Sequence, residues 1–182
     1  MDCVNMKPHE HIETNRLVLR IPSLEDAEAI FNSYAQDVEV LRYLTWKPHQ
    51  NVHETELFLA DCIAAWAGDF RFPYVITLAD GGGVIGMVEI RVNDFKADVG
   101  YVLSRHHWGK GFATEALRSI VEWALRQRSI YRVWALCDVD NLASARVLEK
   151  VGMRREGVLR RQIVHPNLSD EPRDCYCYAV VK

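Results

Sequence analysis

The sequence lacks several features that would assign it to whole classes of protein. No apolar run approaches the roughly 20 residues that cross a membrane, and the polar N-terminus has no apolar block of a secretory signal. The five cysteines form no C-x-x-C pair, so neither a disulfide framework nor a metal centre is expected. A net charge of −3 gives no electrostatic reason to bind nucleic acid or a membrane surface. The composition predicts a cytoplasmic protein with one domain over residues 1–182 and a flexible tail over 1–12.

What the sequence does contain is a regular succession of strand and helix patterns. The predicted strands cover 16–21, 74–79, 84–92, 98–104, 131–139, 154–159 and 174–181. The predicted helices follow Ser23, where Asp26 completes a capping box, and cover 54–67, 113–127 and 141–151. A strand, helix, strand unit over 98–139 predicts a right-handed crossover between parallel neighbours. The expected fold class is α/β (α+β), with helices flanking a mixed, mostly antiparallel central sheet of about seven strands.

Residues 105–117 read RHHWGKGFATEAL and place two glycines immediately before the most regular helix. Gly109 and Gly111 fit a tight turn, and they equally fit a backbone that approaches a phosphate group closely. The N–H groups and the dipole of a helix start attract anions, which favours the second interpretation, but this stretch alone leaves both open.

The order of elements and four motifs resemble the GNAT family of acyl-CoA-dependent N-acyltransferases, and more closely its RimJ/RimL-type branch. The motifs are ETNRLVLR, DVGYVLS, WGKGFATEAL and NLASARVLEKVGM. The resemblance implies a cleft where two parallel strands, here 98–104 and 131–139, splay apart. It also implies acetyl-CoA as the co-substrate and a primary amine as the acceptor.

The same resemblance implies the residues that bind acetyl-CoA. Gly109 and Gly111 would direct backbone N–H groups at the pyrophosphate, and Asn141 would hold the pantetheine arm. A backbone N–H near a strand bulge, around Val102 and Leu103, would bind the oxyanion. The implied set is Val102, Leu103, His107, Trp108, Gly109, Lys110, Gly111, Phe112, Ala113, Thr114, Asn141 and Ser144. Arg105 and Lys110 would add positive charge, unless the lysine is simply solvated. His106 departs from the family's usual Gln or Arg, and Leu148 replaces the tyrosine with which many members protonate the leaving thiolate.

Two side chains are candidates for proton transfer. Ser144 shares a helix face with Asn141 and, by the resemblance, would protonate the thiolate; the alternative is a capping or packing hydroxyl. Glu89 lies in a strand among apolar residues, surroundings that favour proton uptake by a carboxylate and therefore suit a base. The alternative for Glu89 is an ion pair with Arg91 or with a neighbouring strand. Asp98 and His107 are lesser candidates for the base.

These observations predict an acetyl-CoA-dependent N-acetyltransferase, with the N-terminal α-amine of a protein or peptide as the favoured acceptor. The alternatives are acetylation of a small amine (an amino acid, an antibiotic or a polyamine) and a non-catalytic acyl-CoA-binding sensor. The acceptor is expected to contact the segments 43–49, 70–74 and 160–173. The enzyme is expected to act as a monomer or a homodimer.

Overall fold

The structure, a computed structural model, describes residues 7–182 and contains one sheet of eight strands. The strands are His11–Glu13 (β1), Leu17–Arg20 (β2), Arg71–Leu78 (β3), Val84–Asn93 (β4), Lys96–Leu103 (β5), Arg132–Asp138 (β6), Arg154–Ile163 (β7) and Arg173–Val181 (β8). They lie in the sheet in the order β1-β2-β3-β4-β5-β6-β8-β7. Neighbouring strands are antiparallel except for β5 and β6, which are parallel. The predicted mixed sheet is confirmed, with one strand more than expected.

Five α-helices cover the two faces of this sheet. They are Ala27–Ile30 (α1), Val38–Leu41 (α2), Val52–Ala65 (α3), Phe112–Arg126 (α4) and Leu142–Lys150 (α5). One apolar cluster joins α1 and α3 to Val75 and Met87 of the sheet. The other joins α4 and α5 to strand residues such as Ile90 and Val99. Within residues 7–182, no helix is long and apolar enough to cross a membrane.

The first helical segment is less regular than the sequence predicts. The capping box is confirmed, because Ser23 Oγ accepts from the Glu25 N–H at 3.3 Å and Asp26 Oδ2 accepts from the Ser23 N–H at 2.8 Å. The chain then winds as a 3₁₀ turn, as α1, and as a wider π turn over Phe31–Ala35. The expectation of one continuous helix is therefore wrong, since a stripe of apolar residues does not distinguish these three windings.

Part of the predicted N-terminal tail belongs to the sheet. In β1, Ile12 pairs with Leu19 of β2, and the Tyr74 hydroxyl donates to the His9 carbonyl at 2.7 Å. The prediction of a tail that extends to residue 12 is wrong for these positions, because three polar-flanked residues carry too little alternation to mark a strand. Residues 1–6 of that tail, including Cys3, lie outside the described part of the chain.

The last strand of the chain lies inside the sheet. β8 pairs with β6 from Val181–Arg132 to Cys175–Asp138, and on its other side it pairs with β7. β7 is thus an edge strand of the sheet, at the end opposite β1, and it is largely exposed. Cys175 is a buried free thiol, and burial raises its pKa to about 11. Cys177 is also free but only half-buried.

Candidate active site

A cleft opens between β5 and β6. The two strands pair from Lys96–Arg132 to Asp98–Trp134. In the described part of the chain they have no pairing beyond that point, so 99–103 and 135–138 diverge. The glycine turn follows β5 and α5 follows β6, so both lie at the open end. The splayed parallel pair implied by the resemblance is therefore present.

The glycine turn ends β5 and begins α4. Gly109 and Gly111 have φ values of +74° and +83°, the left-handed region that strains other residues. Gly111 is the N-cap of α4, and its carbonyl accepts the Glu115 N–H at 3.0 Å. The N–H groups of residues 112–114, in the first turn of the helix, have no partner within the helix and are free to bind an anion. This geometry fits a pyrophosphate.

Two of the sequence motifs meet at this turn. Glu115 of GKGFATEAL accepts from the Arg16 N–H at 2.8 Å, from Arg16 Nε at 2.8 Å and from Thr14 Oγ1 at 2.7 Å. Burial opposes ionisation of Glu115, but these hydrogen bonds outweigh it and lower its pKa. Arg16 also donates to the Lys110 carbonyl at 3.0 Å and lies over the Phe112 ring. The start of the chain therefore holds the glycine turn in place, which the sequence did not predict.

A pocket of about 350 Å³ lies beside the glycine turn and carries positive charge. It is lined by Asn15, Arg16, Gly111, Thr114, Glu115, Arg118 and Lys150. Arg118 and Lys150 come from α4 and α5, and an Arg118 nitrogen donates to the Lys150 carbonyl at 2.8 Å. Guanidinium and ammonium groups beside a helix start suit the phosphates of a nucleotide-like molecule.

The side chains predicted to lie around the glycine turn have different surroundings. Arg105 forms an ion pair with Asp37, with 3.1 Å between Nε and Oδ2, so its charge is engaged within the protein. Lys110 is exposed. Burial, Lys110 and His106 lower the pKa of His107, so this imidazole is neutral at neutral pH. Trp108 Nε1 donates to the Leu103 carbonyl at 2.7 Å and fixes the turn to the end of β5.

The pairing of β4 with β5 determines which amides face the cleft. The register is continuous from Gly86–Leu103 to Asn93–Lys96, so the strand bulge expected at this point is absent from the pairing. The Ser104 N–H donates to the Ile85 carbonyl at 2.8 Å. Since N–H directions alternate along an antiparallel strand, the Val102 N–H points to β4 and the Leu103 N–H points away from it, towards β6. Of the two expected oxyanion donors, Leu103 has the suitable direction.

Asn141 and Ser144 begin α5 on the other side of the cleft. Asn141 is the N-cap, and its Oδ1 accepts the Ser144 N–H at 3.1 Å. The capping role left open for Ser144 thus belongs to Asn141. Ser144 Oγ lies 2.9 Å from the hydroxyl of Tyr101 on β5, so a hydrogen bond crosses the cleft. Leu148 is 1% exposed and packs in the core.

Glu89 lies among charges and not among apolar groups. Its Oε2 accepts from Arg71 Nε at 2.7 Å, and its Oε1 accepts from Arg91 Nη1 at 2.8 Å. Arg71 also binds Asp61 of α3, and Arg91 Nε donates to Asp98 at 2.7 Å. The geometry favours the ion-pair alternative for Glu89, and it places Asp98, a lesser candidate for the base, in the same network.

The segments expected to contact the acceptor are only partly adjacent. Asn167 Nδ2 donates to the carbonyls of Leu41 and Trp46, both at 2.7 Å, and joins the β7–β8 connection to the segment after α2. In the segment 70–74, residues 72–74 are buried, and Arg71 pairs with Arg91, near the end of β4 opposite the cleft. The segment 70–74 therefore does not join the other two as expected, because Phe72 and Tyr74 fill the core and only Phe70 is exposed.

A buried histidine that sequence reasoning missed lies where these segments meet. His165 is 3% exposed, its Nε2 lies 3.5 Å from Asp138 Oδ2, and its ring packs edge-on to Tyr43. Within residues 7–182, neither ring nitrogen makes a hydrogen bond of normal geometry. Burial lowers the pKa of His165 against the opposing charge of Asp138. Arg173 Nε donates to that carboxylate at 2.6 Å.

Comparison with known proteins identifies this arrangement. Residues 16–154 match the acetyltransferase (GNAT) domain family. The chain belongs to the GNAT acetyltransferase family. The match includes both sides of the cleft, from Arg16 through the glycine turn to Ser144. The protein is therefore an N-acetyltransferase, and acetyl-CoA is its co-substrate.

Individual GNAT proteins resemble the chain over nearly its whole length. The uncharacterized N-acetyltransferase YoaA of Bacillus subtilis is 32% identical over 174 residues, covering 94% of this chain and 96% of YoaA. A GNAT acetyltransferase structure from Bacillus anthracis is 26% identical with a TM-score of 0.82, covering 94% and 98% of the two chains. RimL, the ribosomal L7/L12 α-N-protein acetyltransferase in complex with coenzyme A, shares the fold with a TM-score of 0.82, at 21% identity and the same coverage.

Proposed function

We propose that this N-acetyltransferase acetylates the α-amine of a protein or peptide N-terminus. The observation that carries the proposal is the paired state of Glu89, the carboxylate that the sequence offers as the base. Arg71 binds one of its carboxylate oxygens and Arg91 binds the other, so both oxygens are engaged in ion pairs within the protein. An enzyme whose carboxylate at this position is engaged in this way suits an acceptor amine that is already partly neutral.

The chemistry of amines favours an α-amine on this ground. An α-amino group has a pKa of about 7.7–8.0 and a lysine side chain has one of about 10.4. At pH 7 roughly a tenth of α-amines are neutral, against about one lysine in two thousand. RimL, which has the same fold, is an α-N-protein acetyltransferase, and this supports the same acceptor class.

The residues of the cleft supply the remaining steps of the proposed reaction. The amides of Gly109–Thr114 hold the pyrophosphate, and the carboxamide NH₂ of Asn141 holds the pantetheine arm. The amine nitrogen bonds to the thioester carbon, and the Leu103 N–H stabilises the resulting oxyanion. When the carbon–sulfur bond breaks, Ser144 gives its proton to the sulfur and regains one from solvent, while the amine proton passes to water.

A panel of acceptors tests the proposal directly. The enzyme is incubated with acetyl-CoA and, separately, a peptide with a free N-terminus, the same peptide N-terminally blocked with an internal lysine, spermidine and single amino acids. Release of the CoA thiol gives the rate, and mass spectrometry locates the acetyl group. We expect acetylation of the free N-terminus. Turnover confined to spermidine or to an amino acid would support the small-amine alternative, and binding of acetyl-CoA without turnover of any acceptor would support a sensor.

The role of Ser144 is tested by its pH dependence. A thiol with a pKa of about 8.5 leaves unprotonated at pH 9 but gains from a proton donor at pH 7. Ser144→Ala is therefore expected to lose about 10²–10⁴-fold in rate at neutral pH and less at high pH. A rate within a few-fold of wild type at every pH would assign this serine to packing.

A further inference from the structure

Tyr101 places its phenol against the proposed leaving-group donor. It lies on β5, in the stretch that no longer pairs with β6, and its hydroxyl is 2.9 Å from Ser144 Oγ. It also lies 3.5 Å from the Ser144 carbonyl oxygen, a distance that leaves the contact with Oγ as the dominant one. The phenol reaches the serine from the opposite side of the cleft.

We propose that Tyr101 is a positioning residue that donates a hydrogen bond to Ser144 Oγ and thereby directs the serine's own proton towards the sulfur of CoA. The inference rests on the proposed role of Ser144. A hydroxyl has one proton and two acceptor lone pairs. When a neighbouring phenol occupies a lone pair, the serine proton remains available for a second partner.

The surroundings of Tyr101 keep it in the donor state. Burial raises the pKa of this phenol well above its ordinary value, and the hydrogen bond with Ser144 offsets only part of that effect. The phenol therefore stays protonated at every pH at which the enzyme works. Leu148, at the position where many relatives of this family carry a tyrosine, is buried among apolar residues and supplies no such group.

Tyr178 provides a matched control. Its hydroxyl lies 2.9 Å from Glu149 Oε1, so it also forms a hydrogen bond to a residue of α5, but not to the serine. Tyr101→Phe and Tyr178→Phe each remove one phenolic oxygen and leave the ring. Thermal unfolding should report similar small losses of stability, which separates folding effects from effects on the reaction.

The first measurement compares rates. Tyr101→Phe is expected to lower kcat about tenfold at pH 7, the rate equivalent of one hydrogen bond, with little change in KM for acetyl-CoA. The loss should shrink towards pH 9, and Tyr178→Phe should keep the wild-type rate. Tyr101→Phe combined with Ser144→Ala should be no slower than Ser144→Ala alone, because both changes remove one function.

The second measurement needs no turnover. CoA is bound to each variant, and the ultraviolet absorbance of its thiolate is followed from pH 6 to pH 10. A hydroxyl directed at the sulfur stabilises the thiolate, so Tyr101→Phe and Ser144→Ala should both raise the pKa of the bound thiol, and Tyr178→Phe should not.

The outcomes separate this inference from the proposal beneath it. If Ser144→Ala keeps the wild-type rate at every pH, the donor role of the serine fails and the role of Tyr101 fails with it. If Ser144→Ala is slow but Tyr101→Phe changes neither kcat nor the thiol pKa, only the positioning role is overturned. A double variant tenfold slower than Ser144→Ala, or loss of CoA binding in Tyr101→Phe, also contradicts it.

Discussion

Replacing Gly86 by alanine tests whether the cleft depends on the close approach of β4 and β5. An ideal Cβ at this residue would lie 2.3 Å from the Val102 carbonyl oxygen and 3.1 Å from Leu103 Cα. Because Cβ atoms essentially never come closer than 3.0 Å to a non-bonded heavy atom, the two backbones would have to separate by about 0.7 Å. Both are held in a paired sheet, so the displacement reaches the segment that carries the Leu103 N–H.

The size of the effect follows from that displacement. Overpacking of this kind costs about 1–3 kcal/mol in the free energy of unfolding, and for a protein of this size each kcal/mol lowers Tm by roughly 2–4 °C. The expected fall in Tm is thus about 2–12 °C. Misplacement of reacting groups by about 1 Å costs up to ~10²-fold in rate, so kcat should fall by up to that factor.

Gly157→Ala on β7 is the control, because a Cβ there meets nothing within 4 Å. Unfolding is followed by circular dichroism, and acetyl transfer is measured at a temperature at which all three proteins are folded. Gly157→Ala should stay within about 0.5 kcal/mol of wild type. If Gly86→Ala matches the control in both Tm and kcat, the close approach of the strands has no role in the cleft.

Three further results are expected. Acetyl-CoA at 100 times its dissociation constant should stabilise the enzyme by roughly 2.7 kcal/mol. Gly111→Glu should abolish the resulting shift in Tm, whereas Gly81→Glu, at a φ of +87° in a distant turn, should keep it. A normal shift in Gly111→Glu would argue against the phosphate site. Glu89→Gln should lose about 1 kcal/mol of stability, because Arg71 and Arg91 lose a charged partner, with an unchanged rate from pH 6 to 9; a loss of rate that grows at low pH would make Glu89 the base after all. Stability should fall as the pH drops through about 6.5, because burial lowers the folded-state pKa of His165 and the unfolded chain binds more protons. His165→Phe should flatten that slope by up to about 1.36 kcal/mol per pH unit. An unaltered slope in His165→Phe would show that this histidine does not cause it.

Local patterns predicted the regular elements well. The apolar stripe of α4 marked its bounds within one residue at each end, and Ser23 with Asp26 marked a real helix start. These bounds could be predicted because residues a few positions apart in the sequence determine them. The π turn over Phe31–Ala35 was not predicted, because packing against the sheet, and not the local pattern, selects the winding.

The candidate site was predictable in its backbone and less so in its side-chain partners. Gly109 and Gly111 were found from their position before a helix. The contact between Tyr101 and Ser144 joins residues 43 positions apart, and no local pattern marks it. Arg91 was an evident partner for Glu89, but Arg71 comes from another strand, so the charged surroundings of this carboxylate depend on the register of β3 against β4.

The position of β8 has a consequence for the synthesis of the enzyme. Since Arg173–Val181 come after both of their sheet partners in the chain, β6 and β7 lack their shared partner until these residues have left the ribosome. Until then the nascent chain presents an open edge of β6, a surface prone to pairing with other chains. A premature stop codon near residue 172 would therefore remove the strand that joins two others, and we expect such a product to be degraded rather than to persist as a shortened enzyme.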